Sequence, residues 1–170
     1  LSQAMGVGYM QLMDWKSIEN ANMATKEFKE QIIATAKAMG TLDEEGNTLA
    51  KNSQHVTAES FNQTLSDKWL TSDVLMKTLN DYNDFYNKLV KIQDTKEGAG
   101  MTITDIIGEL QDGTEQGSKW IKEFNIDLDS LSAKSFLAAQ EYKSFSDVIS
   151  ATQDAVSTSW MNIFQDIFGN

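Results

Sequence analysis

Cysteine, proline and arginine are all absent from these 170 residues, and histidine occurs once, at His55. Without cysteine there is no disulfide, no thiolate metal ligand and no sulfur nucleophile. Without arginine the bidentate contact to guanine is unavailable. A zinc peptidase uses two or more imidazoles, so a single one cannot supply it. His55 lies in the polar run Lys51-Asn-Ser-Gln-His55, where a solvated loop residue is expected. The lack of proline removes the commonest helix breaker. No apolar run approaches the roughly 18 residues that span a bilayer, and the first residues lack the pattern of a signal peptide, so no membrane contact by this segment is expected.

What is present is acid. Fourteen lysines stand against 25 Asp and Glu, leaving a net charge of −11. A duplex-binding surface gains affinity by neutralising phosphates with cationic side chains, so direct nucleic acid binding is not expected. Hydrophobic residues make up 41% of the chain, enough for one core in a domain of ordinary length.

The apolar spacing is helical. Leu75, Leu79, Tyr82, Tyr86 and Leu89 recur at intervals of four and three, one face of a helix running from Ser72 to about Lys91. Phe28, Ile32, Ala36 and Met39 repeat the pattern, as do Phe145, Ile149, Thr152, Val156, Trp160, Ile163 and Ile167. Period-two alternation never persists. The expected class is all-α, a compact multi-helix domain of about six to eight helices. Spacing of four and three also suits a coiled-coil seam, but three heptads is the lower limit for one, and packing within the domain is the preferred reading.

Local signals divide the chain. Asn20-Ala-Asn22 separates a first helix, near residues 8–19, from a second that stops at Gly40. Thr41-Leu-Asp-Glu-Glu-Gly-Asn-Thr-Leu49 reads as a small hairpin-like loop. Thr57 is placed as the cap of a short helix, and Thr71-Ser-Asp73 as the cap and acidic first turn of the long one. Glycines at 98, 100, 108, 113 and 117 predict short, poorly anchored helices there. The whole of 1–170 is read as a single helical domain. The glycine-rich segment 96–117 is where it would divide into sub-units 1–95 and 118–170. Leu65-Ser-Asp-Lys-Trp69-Leu and Val156-Ser-Thr-Ser-Trp160-Met share a loose pattern, with both tryptophans expected in the core. The expected packing anchors are Trp69, Phe61, Leu65, Val74, Leu75, Leu79, Trp160, Ile163, Phe28 and Ile32.

Catalytic and binding motifs fail on spacing. Asp43-Glu-Glu45-Gly46-Asn47 places glycine at position 4 and Gln54 at position 12, where a calcium loop needs glycine at 6 and Glu at 12. Asp127-Leu-Asp129 lacks the glycine turn. Gly6-Val-Gly8 and Gly98-Ala-Gly100 lack the third glycine of a dinucleotide fingerprint and the strand before it. No catalytic residue, metal ligand or cofactor is expected.

One resemblance does name a job. The stretch VTAESFNQTLSDKWLTSDVLMKTL, from Val56 to Leu79, and the earlier MQLMDWKSIENANMATKEFKEQI together resemble a region of phage and prophage tail tape measure proteins. The end of the chain, from Phe145 through Asp154-Ala-Val-Ser-Thr-Ser-Trp160 to Asn170, resembles the next block of that family. The match is least clear from Gln93 to Asn125. Tape measure proteins are far longer, so the chain is read as a fragment of a longer protein. The resemblance implies a non-enzymatic virion component, acting in tail length determination, tail assembly and passage of the genome. It would lie in the tail interior, and in the host cytoplasm during assembly. The implied partners are tail tube, tail tip and assembly-chaperone proteins, with self-association in the full-length protein. Some members of the family carry cell-wall hydrolases elsewhere, and Glu59-Ser60 matches the start of a lytic transglycosylase pattern. The Gly-Leu-x-Gln and Ala-Tyr-Asn segments that would complete it are missing. The alternative reading, from a different class, is an acidic helical protein–protein interaction module.

Overall fold

A computed structural model describes residues 24–139 together with Trp15, Lys16 and Glu19. Six α-helices follow one another among residues 24–139: α1 (Lys26–Met39), α2 (Phe61–Thr64), α3 (Ser72–Gln93), α4 (Ile103–Asp112), α5 (Glu115–Glu123) and α6 (Leu131–Ala138). A 3₁₀ turn, Leu65–Asp67, continues α2. The architecture is all-α and compact.

Hydroxyl caps set where the helices begin. Thr25, Thr71, Thr102, Thr114 and Ser130 each accept a hydrogen bond from the backbone N–H three residues on, satisfying one of the donors a helix start leaves free. At α4 the bond is reciprocal, because the Asp105 carboxylate also accepts from the Thr102 N–H. Thr57 acts one step earlier than expected. It pairs reciprocally with Ser60, capping the turn that precedes α2 rather than α2 itself. Gly40 stops α1 at φ 87°, a left-handed conformation that costs glycine little.

The core is organised on α3. Its 22 residues place Val74, Leu75, Leu79, Tyr82, Leu89 and Ile92 inside, and α1, α4 and α6 all pack against it. α1 also lies along α6, and α5 folds back on α4. Rings join these elements. Phe136 of α6 sits 5.4 Å from Tyr82, 5.3 Å from Phe85 and 5.8 Å from Tyr86, centroid to centroid, and Phe28 of α1 meets Tyr82 edge-on. Phe61 contacts both Trp15, at 4.5 Å, and Trp69, at 5.2 Å.

Phe28, Ile32, Phe61, Leu65, Trp69, Val74, Leu75 and Leu79 are all buried in this one cluster. Trp160 and Ile163 lie outside the described residues, as do the rest of the seam from Phe145 to Ile167 and most of the first expected helix. Met39 departs from the expected seam: 46% exposed, it occupies the last turn of α1, just before Gly40 ends the helix. Spacing predicts which side of a helix is apolar, not how far a packing partner extends along it.

The glycine-rich stretch corrects a larger expectation. Its helices are short but firmly anchored, through Ile106, Ile107 and Leu110 of α4 and Trp120 of α5, all buried. Two of its glycines permit close approach instead of loosening the chain. A Cβ at Gly117 would stand 2.0 Å from the Glu109 carbonyl oxygen, and one at Gly98 would stand 2.0 Å from that of Ile92. The expected hairpin is present and larger. Leu42 bridges Thr48, and Asn47 then bridges His55, so three short segments rather than two lie side by side.

Trp69 is 1% exposed, and its Nε1 donates to Thr64 Oγ1 at 3.1 Å. Trp69→Ala removes that bond and leaves a cavity beside Phe61, at an expected cost of about 3–5 kcal/mol. Thermal denaturation checks this, and an unchanged midpoint would contradict it.

Candidate functional site

The residues capable of chemistry are few, and local geometry commits several of them to the chain's own backbone. In the hairpin, Asp43 Oδ1 accepts from the N–H groups of Asn47 at 2.8 Å and Glu45 at 3.0 Å. The Asn47 bond foremost, against a smaller opposing cost of desolvation and with help from Glu45 and Gly46, holds the Asp43 carboxyl below its ordinary value of 3.8. Asp127 Oδ1 accepts from the Asp129 N–H in the same manner at 2.9 Å. Both sequences that resemble the start of a calcium loop are therefore Asx turns, in which the side chain substitutes for a backbone acceptor.

His55 is exposed at the outer bridge of the hairpin, with Nδ1 2.9 Å from Asn47 Oδ1. Glu59 is exposed in the turn capped by Thr57. Asp67 Oδ2 accepts from Thr48 Oγ1 at 2.7 Å and Gln54 Nε2 at 3.1 Å, latching the hairpin to the 3₁₀ turn. Among the described residues no group of three His, Cys, Asp or Glu side chains could hold a metal ion. No described helix is long and apolar enough to cross a membrane. A shallow hollow of about 300 Å³ beside α5 is lined by Glu97, Gln116, Lys119, Lys122 and Glu123. Its charged groups are all exposed, so water screens whatever they could offer a ligand.

The most distinctive assembly is apolar. Trp15, Phe28 and Ile32 come from the first of the two segments that carry the resemblance, and Phe61, Leu65, Trp69, Val74, Leu75 and Leu79 from the second. The structure brings them into one nucleus. Glu19 Oε2 accepts from Asn62 Nδ2 at 3.1 Å beside the Trp15–Phe61 contact, and the Lys29 ammonium stands 5.7 Å from the Phe61 ring centre. Six polar residues are also buried among the described residues, and two of them, Gln31 on α1 and Ser135 on α6, lie on the helices that pack against each other. The signal for Gln31 is its place three residues after Phe28, on the same side of the helix. Ser135 leaves no such mark.

Comparison of the chain with family models, with curated proteins and with solved structures finds no match.

The Asp43 turn has a defined pH response. Folding lowers this pKa, so the contribution is complete above 3.8 and is lost as pH falls through the folded value below it. Amide resonances of Glu45 and Asn47 are expected to move, and their exchange to quicken, on acidification below 3.8. Asp43→Asn keeps an acceptor oxygen and is expected to abolish the response while retaining the turn. Amide signals indifferent to pH in the unsubstituted protein would rule the carboxylate out as the turn's anchor.

Proposed function

We propose that this chain is a structural segment of a phage or prophage tail tape measure protein, working as a packed element and not as a catalyst. The observation that carries the reading is the convergence of the two resembling segments. Trp15 and Phe28 from one, and Phe61 and Trp69 from the other, lie in a single core. A resemblance scattered over unrelated surface loops would mean little. One that falls on residues packed against each other describes a folded unit, which is what a shared structural role requires.

In this role the segment belongs to the tail interior, where tube subunits assemble around the full-length protein, and it leaves before the genome passes. Its charge suits that order of events. An acidic element with no arginine repels DNA and does not hold it in the tube. Tail tube, tail tip and chaperone proteins are its partners in this reading.

A compact element contributes little length per residue. As one straight helix, 170 residues would span about 255 Å, at about 1.5 Å each. Deleting the segment in frame from the full-length protein is therefore expected to block tail assembly or infectivity. Viable particles with tails shorter by about 255 Å would show that the segment is shaft, and would overturn the proposal. A second measurement tests the charge argument. Filter binding at low salt is expected to retain no DNA above background, whereas sub-micromolar binding with a steep salt dependence would contradict it.

A further inference from the structure

Helices α1 and α6 lie along each other, but their seam is not apolar throughout. Gln31 on α1 is 3% exposed and Ser135 on α6 is 1% exposed. The amide nitrogen of Gln31 is fully used: it donates to the Thr78 carbonyl of α3 and to Ser132 Oγ of α6, each at 3.1 Å. Its Oε1 and the Ser135 hydroxyl are both shielded from solvent and meet no hydrogen-bond partner among the described residues. Rotating the amide does not help, because it would set oxygen against the Thr78 carbonyl, acceptor facing acceptor. Ser132 and Ser135 are three residues apart on α6 and so share one side of it. The Ser135 hydroxyl thus stands one turn along from the group that Gln31 already holds.

We propose that Gln31 Oε1 and Ser135 Oγ form a binding site for one internal water molecule between α1 and α6. Buried polar atoms are nearly always bonded, to protein or to such a water, and the chemistry here matches one. The Gln31 oxygen can only accept, so the water donates to it. The serine hydroxyl can give or take a hydrogen bond, so it serves the same water from the other side. Gln31 then ties α1 to α3 through its nitrogen, and to α6 through both ends of its amide.

Ser135→Ala separates a hydrated seam from a dry one by the sign of its effect. In the full 170-residue chain this substitution removes half of the site. With the water in place, its loss of a partner lowers the thermal midpoint, by about 2–4 °C for a bond of ordinary strength. Water-proton relaxation dispersion is expected to show one fewer long-lived internal water in the variant than in the unsubstituted protein. In a dry seam the same substitution deletes an orphaned hydroxyl, and the midpoint rises. A midpoint that rises or stays put, or an unchanged count of long-lived waters, overturns the proposal.

Discussion

Burial of one face of α3 is the constraint on which the other elements depend. This helix is 22 residues long, about 33 Å, and ten of those residues are buried. A large apolar side chain gains about 1.5–3 kcal/mol on full burial, so Val74, Leu75, Leu79, Tyr82, Leu89 and Ile92 form a strip that must be covered. α1, α6 and α4 supply the cover. Each is short enough to depend on α3 for its own stability, since isolated helices of 8–14 residues are marginal in water. Phe136 shows how little is needed to hold such a helix in place. One ring on an eight-residue helix meets three rings on α3 and so fixes where α6 lies.

Polar groups act locally around that core. Asp43, Asp105 and Asp127 each satisfy a backbone N–H close by in sequence, which shapes a turn or starts a helix. A carboxylate engaged in this way loses lone pairs that a cation would need. Among the described residues, no three acidic side chains converge where they could hold a metal ion. In the proposed tail setting, a net charge of −11 favours repulsion from nucleic acid.

Glycine plays two opposed parts in the same region, and only geometry separates them. Gly100 and Gly113 take positive φ, at 83° and 67°, where the chain turns. Gly98 and Gly117 instead stand against backbone carbonyls with no room for a methyl group. The second pair tightens the structure: α5 can fold onto α4 because residue 117 has no side chain, and Trp120 is buried one turn later. A cluster of glycines that suggests looseness in the sequence is thus, in part, the means of a close contact.

The all-α class, the length of α3, the stop at Gly40 and the cap at Thr71 were legible in the sequence, because each depends on interactions within a few residues. Periodicity likewise marked Phe28, Ile32, Leu75 and Leu79 as inward-facing, since burial on one side of a helix repeats with the helix itself. The single imidazole and the failed motif spacings were equally plain, being matters of residue type and count. Tertiary structure alone decided the rest. Met39 shares the apolar side of α1 yet is exposed, because spacing carries no information about where a neighbour ends. Gln31 and Ser135 are polar yet buried, because only the packing of α1 on α6 brings residues so distant in the chain into one seam. The same holds for Trp15 and Phe61. Their residue types suit a core, but their contact exists only once the chain has folded back on itself, since long-range contacts are chosen by the shape of the whole core and not by any local run of residues.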